Sequence, residues 1–216
     1  MEEKQPQKQQ ALQSPQKEQQ LRPAQTDKGY YRFLVLYLVL LSALGSFVND
    51  MYTPSLPEMA RYFHCTVSQA QLSLTFGMIG LGVGQLLMGP ISDHYGRKIV
   101  LVVSLIVFIV GAVASVFSPN MTVFLFFRFV QGAGAAGGYF LARTIPADIY
   151  QGSELAKLMA LIGAVNGLAP ASSPVLGGVI ADYGGWKAVF IVLAVFAIAV
   201  LCIAPKLKES LYRQNR

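Results

Sequence analysis

The first candidate for chemistry is a carboxylate, Asp50, which ends an almost unbroken apolar run that begins near Phe33. An ionisable group there lies either at the membrane interface or in a polar cavity, where it can bind a proton or a charged ligand. Away from the ends of the apolar segments, the only basic residue is Arg128, whose guanidinium keeps its charge. We therefore expect Asp50 and Arg128 to face one cavity. Three further polar residues are weaker candidates for it: Asn49, Tyr52 and Gln131.

The rest of the chain predicts the helices that position these groups. Of its 216 residues, 54% are hydrophobic and 13% are charged, about half the charged fraction of a soluble domain. Six apolar segments are long enough to cross a bilayer, at about 32–52, 69–90, 98–118, 121–145, 156–180 and 186–204. The sequence therefore predicts an all-α membrane protein, with a bundle of six transmembrane helices over residues 30–205.

The distribution of charge predicts how this bundle is oriented. Residues 1–29 are rich in Gln, Lys and Pro and are predicted to form a disordered tail. Residues 206–216 are predicted to form a basic tail or the start of a central linker. If the N-terminus is cytoplasmic, fourteen Lys and Arg residues lie on that side, and only Arg61 and Lys187 lie opposite. This bias predicts that both termini are cytoplasmic.

Local signals predict where helices begin, break and approach one another. Thr66 and Gln69 have the spacing of a capping box, which predicts the start of the second span. Breaks are predicted at residues 118–120 and 182–185, which contain Pro, Asn, Asp and Gly. Glycines four residues apart predict faces where helix backbones approach closely. These pairs are Gly80 with Gly84, Gly134 with Gly138, and Gly163 with Gly167.

A short charged stretch, Gly89 to Lys98, is predicted to form the loop between the second and third spans. Gly89 and Gly96 permit tight turns, and Asp93 can cap a helix or pair with a cation. Arg97 and Lys98 would hold the loop at an anionic membrane surface. The pattern G-x-x-x-D-x-x-G-R-K resembles the signature loop of the major facilitator superfamily of transporters.

Three further stretches carry the same resemblance. Residues 128–134 resemble the fourth-helix motif of that superfamily, and residues 167–178 resemble the fifth-helix motif of its drug and proton antiporters. The second of these contains Pro170, Pro174, Gly177 and Gly178, which predict a bent, locally loosened helix. Residues 50–57 are similar to the D-M-Y-x-P-x-L-P stretch of the Bcr/CflA-type drug-resistance transporters. His94 departs from the signature loop, in which Arg is more common.

The resemblance implies one six-helix half of a major-facilitator fold. The implied function is proton-coupled efflux of small toxic compounds or drugs across the cytoplasmic (inner) membrane. The implied partners are the substrate, protons, lipid and a second six-helix half, which is either a missing C-terminal half or a second copy. Neither a cofactor nor a nucleic acid is expected. Two alternatives remain open, which are a transporter of another solute, such as a sugar or metabolite, and a non-transporting half-size membrane interaction protein.

The resemblance also implies a gating contact on the cytoplasmic side. Asp93 and Arg97 would join Asp148, which follows the fourth span, in a latch between helices. An enzyme is not expected, because His64 and His94 are predicted on opposite sides of the membrane. The sequence also has no zinc-ligand spacing and no G-x-S-x-G nucleophile motif.

Overall fold

The computed structural model describes residues 28–207 and 209–210, which contain helices and turns but no strand. The main helices are α1 (Lys28–Asp50), α2 (Leu56–Tyr62), α3 (Val67–Tyr95), α4 (Arg97–Val116), α5 (Met121–Ile149) and α6 (Gly152–Ile203). Single 3₁₀ turns lie at Thr53–Ser55 and Ala204–Lys206. The predicted all-α class is confirmed. The predicted disordered tail lies outside the described residues, except for its last two residues, which belong to α1.

Two helix starts follow directly from local sequence. At α3, the Thr66 hydroxyl oxygen accepts from the Gln69 N–H at 3.2 Å, and the Gln69 side-chain oxygen accepts from the Thr66 N–H at 2.9 Å. This reciprocal pair is the predicted capping box. At α5, the Asn120 side-chain oxygen accepts from the Val123 N–H at 3.0 Å. Both caps satisfy N–H groups that a helix start would otherwise leave without a partner.

Four helical stretches of the described chain are long and apolar enough to cross a membrane: Gly29–Tyr62, Val67–Tyr95, Arg97–Val116 and Gly152–Lys206. Helix α5 has 29 residues, but its glycines and two arginines lower its mean hydropathy. The stretch Gly152–Lys206 is counted as one candidate span, although it contains a bend. The count of six spans therefore stays a prediction.

The bend lies at Gly185, where φ is 69° and ψ is −179°. Glycine adopts this backbone conformation without the steric cost that other residues carry. Helical geometry continues up to residue 184, so the break predicted at residues 182–185 occurs only at Gly185. It divides α6 into a first segment, 152–184, and a second segment, 186–203.

The two segments of α6 pass α1 in opposite directions. In the first segment, Asn166 contacts Ser42, and Gly177 lies against the carbonyl of Met51. In the second segment, the order on α1 is reversed. Phe190 lies near Tyr52 with ring centroids 5.3 Å apart, and Phe196 lies near Phe47 at 6.3 Å. The bend therefore makes α6 a helical hairpin around α1.

The described ends of the chain lie at one end of the bundle. Tyr31, near the start of α1, packs edge-on against Tyr150 with centroids 5.7 Å apart. Ser210, at the other described end, donates to Asp148 at 3.3 Å. At the opposite end, the Trp186 ring lies 5.4 Å from that of Tyr62. This arrangement suits termini on one side of a membrane, and their placement in the cytoplasm stays a prediction.

Glycine permits close backbone contacts between α3 and α5. A Cβ on Gly80 would run into the carbonyl of Phe129, and one on Gly132 would run into the carbonyl of Gly77. Such contacts let two backbones meet without side chains between them. The predicted close-packing face is therefore present on α3 and α5.

The same prediction has no described partner helix at Gly163 and Gly167, where it stays a prediction. A Cβ on either residue would meet no described atom within 4 Å, because this face of α6 points away from the bundle. Its neighbours Leu168 and Val175 are about 70% exposed. Spacing predicted that the two glycines share a face, but it could not show whether a helix lies opposite that face.

Candidate functional site

The Arg128 side chain on α5 is fully buried and is bonded to α1. Its Nη2 donates to the carbonyl of Val48 at 3.0 Å and to the side-chain oxygen of Asn49 at 3.1 Å. Its Nη1 donates to the side-chain oxygen of Gln131, one turn further along α5. The guanidinium thus links α5 to α1. Its hydrogen bonds to neutral acceptors are charge-assisted, and they stabilise the buried cation.

Aromatic rings and a glycine complete the pocket around Arg128. Its Cζ lies 4.5 Å from the Tyr52 ring centroid and 5.5 Å from that of Phe190, both within cation–π range. The Tyr52 hydroxyl and the Ser73 hydroxyl are 3.0 Å apart, which orients the Tyr52 ring. A Cβ on Gly77 would lie 2.8 Å from Nη2 of Arg128. The pocket is therefore formed by residues of α1, α3, α5 and α6 together with Tyr52, which lies just after α1.

Arg128 has no carboxylate partner within the described residues. Both ion pairs that the structure describes belong to Arg97. Two donors at the site, Nε of Arg128 and Nε2 of Gln131, are buried without a hydrogen-bond acceptor in the described chain. An uncompensated cation with spare donors, sealed inside a bundle, is costly and is typical of a functional site.

The structure places Asn49, rather than the predicted Asp50, against Arg128. Successive residues of a helix project about 100° apart, so neighbours on α1 cannot both face α5. Asp50 is half-buried and forms no ion pair with Arg128. The sequence correctly located the polar end of α1 but not which of its two polar residues meets the arginine.

Asp50 lies instead on a second polar face of α1. Ser42, Ser46 and Asp50 are four residues apart and therefore share a helix face. The hydroxyls of Ser42 and Ser46 donate to the Asn166 side-chain oxygen at 2.5 and 3.3 Å. The contacts form a polar seam between α1 and the first segment of α6, and Asp50 continues the seam by one turn. The spacing of the serines is a signal that the sequence analysis missed.

The three residues predicted to form a cytoplasmic latch lie together at the other end of the bundle from Asp50. Arg97 Nε donates to Asp148 at 3.0 Å, and Arg97 Nη1 is 2.7 Å from Asp93. Nη1 also donates to the Ser92 hydroxyl. Arg97 is only 7% exposed, and its pair with Asp148 is better shielded from solvent than its pair with Asp93, whose side chain is 60% exposed.

Sequence reasoning missed Glu209, which belongs to the same cluster. Its carboxylate accepts from the N–H groups of Arg97 at 2.9 Å and Lys98 at 3.3 Å, and so caps the start of α4. The Lys98 ammonium donates to the carbonyl of Pro205 at 2.7 Å. Glu209 is more than 100 positions from Arg97 along the chain, so no local pattern connects them.

The predicted loop of this motif needs one correction. Helix α3 continues to Tyr95 and α4 begins at Arg97, so the connection consists of Gly96 alone, with φ 97°. Gly89 lies inside α3 and makes no turn. Pro90 and the residues after it, up to Tyr95, remain helical, so the helix occupies most of the predicted loop.

The two bonds from the Glu209 carboxylate to the start of α4 predict a measurable effect of Glu209→Gln. Removing the charge weakens the cap at the start of α4 by about 1 kcal/mol, because a carboxylate favours a helix N-terminus. Hydrogen exchange at the first-turn amides of α4, including Arg97 and Lys98, should become about fivefold faster. Ser210→Ala is the control, since it removes only a 3.3 Å bond to Asp148. Unchanged exchange in Glu209→Gln would contradict the cap.

The fifth-helix motif lies in the first segment of α6. Its φ and ψ angles stay helical through Pro170 and Pro174, and the bend predicted at these residues stays a prediction. Gly177 lies directly against the carbonyl of Met51, and Gly178 lies 3.9 Å from Pro54. The motif therefore provides a close approach between α6 and the chain just after α1.

Residues 38–213 match the family model described as Major Facilitator Superfamily. The chain belongs to this superfamily. Its members are transporters rather than enzymes, and they are integral membrane proteins, in agreement with the apolar helices. The match covers every helix from α1 to α6, although it begins inside α1.

Curated relatives of this superfamily member include drug-resistance proteins. It is 38% identical over 186 residues to YdgK of Bacillus subtilis, an uncharacterized MFS-type transporter, covering 85% of this chain and 46% of that protein. It is 32% identical over 183 residues to the bicyclomycin resistance protein homolog of Haemophilus influenzae, covering 84% and 46%. Multidrug resistance protein D of Escherichia coli is 31% identical, covering 77% and 42%. The chain thus spans less than half the length of these relatives.

Solved structures confirm the fold. The proton:xylose symporter XylE, bound to 6-bromo-6-deoxy-D-glucose, matches with a TM-score of 0.76 at 17% identity. The match covers 85% of this chain and 46% of the symporter. At this identity the likeness concerns the fold alone, which is that of one part of a major-facilitator transporter.

Proposed function

We propose that this chain is the N-terminal six-helix half of a proton-coupled exporter of small toxic compounds. The observation that carries the proposal is the fully buried Arg128, which has spare donors and no acidic partner among the described residues. The half-buried Asp50 lies nearby on α1. The drug-resistance relatives, at about 30% identity, support export over uptake.

In the proposed mechanism, Asp50 carries the proton and Arg128 remains a fixed charge. Arg128 is held by Asn49 and Gln131, so its position changes little when Asp50 gains or loses a proton. Protonation of Asp50 removes a negative charge from the polar seam and shifts the equilibrium between inward- and outward-facing states. Substrate then competes with the proton for the open side of the seam.

The Asp93–Arg97–Asp148 cluster is proposed to hold the cytoplasmic ends of α3, α4 and α5 together in one state. Its ion pairs join residues from these three helices. Movement between states requires some of these contacts to break, because packed helices change arrangement in discrete steps. Glu209 extends the cluster to the residues after α6.

A second six-helix half is the proposed partner. Transporters of this type bind substrate between two halves, and this chain spans less than half of its relatives. The outward face of α6, with Leu168 and Val175 exposed, is proposed to meet that half. The partner is either further residues of a longer protein or a second copy. The proposed location is the bacterial inner membrane.

A transporter of another solute, such as a sugar, is the second candidate, and the matching solved structures include xylose symporters. These proteins share only 17% identity with this chain, so the likeness supports their fold and not their substrate. Accumulation of labelled xylose in cells, instead of drug export, would favour this alternative.

The function is tested by export from inverted membrane vesicles that contain the chain joined to, or expressed with, a second half. Chloramphenicol and bicyclomycin are the first compounds to try, since two relatives are named for resistance to them: the chloramphenicol resistance protein of Pseudomonas aeruginosa, 33% identical over 171 residues, and the bicyclomycin resistance protein homolog. Asp50→Asn is expected to reduce proton-driven export by at least about tenfold and to remove its pH dependence, because the variant cannot bind a proton.

Asp182→Asn is the matched control, since this carboxylate is exposed beside the bend of α6. It should retain export. Export by Asp50→Asn with an unchanged pH profile would exclude Asp50 as the proton carrier. Absence of export in every variant, with xylose uptake present, would instead refute the drug-export proposal itself.

A further inference from the structure

The turn inside α6 repeats the sequence pattern of the connection between α3 and α4. Residues 89–98 and 178–187 both read G-x-I-x-D-x-x-G-x-K. The second glycine of each pattern, Gly96 or Gly185, is a single non-helical residue, with φ of 97° or 69°. Halves of this superfamily contain two three-helix repeats of inverted topology, so equivalent turns lie at opposite ends of the bundle. Residues 178–187 are therefore the second copy of the signature motif.

A carboxylate caps the helix that begins after each of these turns. Glu209 accepts from the N–H of Arg97, the first residue of α4, at 2.9 Å. Glu58 of α2 accepts from the N–H of Trp186, the first residue of the second segment of α6, also at 2.9 Å. A Cβ on Gly185 would lie 2.8 Å from Oε1 of Glu58, so glycine leaves room for this carboxylate. The two caps share their donor position and distance, although their carboxylates come from unrelated places in the chain.

The lysine after each capped residue connects the turn to the segment that supplies the carboxylate. Lys98 Nζ donates to the carbonyl of Pro205, in the residues after α6 that also supply Glu209. Lys187 Nζ donates to the hydroxyl of Tyr62 in α2 at 3.0 Å and lies 4.6 Å from the centroid of its ring. These contacts define the Glu58 clamp, which consists of Glu58 and Tyr62 of α2 with Trp186 and Lys187 of α6.

The two turns differ in their ion pairs. Trp186 stands where the first pattern has Arg97. Asp182, the equivalent of Asp93, therefore has no cation four residues further on. It is exposed and forms no ion pair in the described part of the chain. The Glu58 clamp thus depends on the helix cap, the lysine contact and aromatic packing, and Asp182 is not part of it.

Phe190 connects the Glu58 clamp with the Arg128 pocket. It lies one turn after Trp186, and the two rings pack edge-on with centroids 5.9 Å apart. Its ring centroid also lies 5.3 Å from that of Tyr52 and 5.5 Å from Cζ of Arg128. Trp186 and Phe190 are both buried, so their rings move together with the start of this helical segment. The position of that start therefore determines how Phe190 lies against the guanidinium.

We propose that Glu58 is a positioning residue of the transporter, which fixes the second segment of α6 against α2 and so holds Phe190 against Arg128. A carboxylate that accepts from a helix N-terminus stabilises it through both its hydrogen bond and its charge. Without that cap, the segment can shift and the cation–π contact loses its fixed geometry. This effect on transport rests on the proposed function, whereas the contact between α2 and α6 does not.

The contact is tested in the purified 216-residue chain with Glu58→Ala. Hydrogen exchange at the first-turn amides after the bend, those of Trp186 and Lys187, should become about fivefold faster. Trp186 is the only tryptophan of the sequence, so its fluorescence reports on this position alone. Its emission should shift to longer wavelength as water reaches the ring. Glu58→Gln keeps a side-chain oxygen of the same reach, so it should restore the emission and exchange only about twofold faster.

Asp182→Ala is the matched control, because it removes a carboxylate four residues before Trp186 but outside the Glu58 clamp. Its exchange and emission should equal those of the unaltered chain. Glu58 is half-buried, so Glu58→Ala should fold. If it does not, Glu58→Gln against Asp182→Asn gives the same comparison. Unchanged exchange in the Glu58 variants, or equal changes in the Asp182 variants, would overturn the proposal.

The positioning role is tested by export from vesicles that contain the chain with a second half. Glu58→Ala is expected to reduce export about fivefold. Because Glu58 acts through Phe190, the double variant E58A/F190L should export no less than Phe190→Leu alone. The control pair combines Glu58→Ala with Phe126→Leu, an exposed position on α5, and the two effects should multiply.

Multiplied losses in E58A/F190L would overturn the positioning role. Absence of export from the unaltered chain would instead refute the proposed function. In that case the exchange and fluorescence results still decide whether Glu58 holds α2 to the second segment of α6.

Discussion

Arg128→Lys is expected to destabilise the bundle by about 3 kcal/mol and to abolish transport, although it keeps the charge. Lysine retains the cost of burying a cation but cannot reach Val48 and Asn49 on α1 and Gln131 on α5 together. Hydrogen bonds to a charged group contribute about 1.5–3 kcal/mol each, so losing one or two of them accounts for the loss. Unfolding of the purified chain in mixed micelles measures the change in free energy.

Arg143→Lys is the matched control for this variant. Arg143 lies on the same helix but is exposed, and it bonds only to the hydroxyl and ring of Tyr139. Its replacement should change the free energy of unfolding by less than about 0.5 kcal/mol. Equal effects at the two positions would show that the contacts of Arg128 contribute no more than those of a surface arginine.

Gly80→Ala is expected to destabilise the chain by about 2 kcal/mol, although alanine is the better helix former. An added Cβ would run into the carbonyl of Phe129 and approach the N–H of Ala133, both of which are backbone of α5. Backbone cannot rotate away as a side chain can, so α3 and α5 must move apart, and overpacking of this kind costs about 1–3 kcal/mol. The same unfolding measurement detects it.

Gly82→Ala provides the comparison, because Gly82 lies two residues further along α3 and faces open space. There the added methyl meets nothing and should stabilise the helix by up to about 1 kcal/mol. Opposite signs at two glycines of one helix would separate close packing from helix propensity. A gain of stability in both variants would contradict the α3–α5 contact.

The two predictions concern contacts that join α5 to other helices. Arg128 is a residue of α5, and Gly80 of α3 lies against Phe129 and Ala133, which also belong to α5. A helix held by backbone contact on one side and by a buried cation on the other has little freedom to shift alone. We therefore expect α3 and α5 to move together in any change between inward- and outward-facing states.

The sequence by itself determined the features that depend on nearby residues. Long apolar segments have no stable place in water, so they predicted a helical membrane protein. The capping box of Thr66 and Gln69, the break at Gly185 and the turn at Gly96 each depend on a few adjacent residues. The motif around Asp93 and Arg97 gave the superfamily, because its residues are also close in sequence.

Tertiary structure alone decided which polar groups meet. Asn49 and Asp50 are adjacent in sequence, and only the rotation of α1 against α5 turns the neutral Asn49, rather than the carboxylate, to Arg128. Glu209 reaches the start of α4 because the second segment of α6 returns to that end of the bundle. Gly163 and Gly167 repeat the spacing of Gly80 and Gly84, yet no helix of the described residues lies opposite them. Spacing determines the face of a helix on which a residue lies, but what lies opposite that face depends on how distant helices pack.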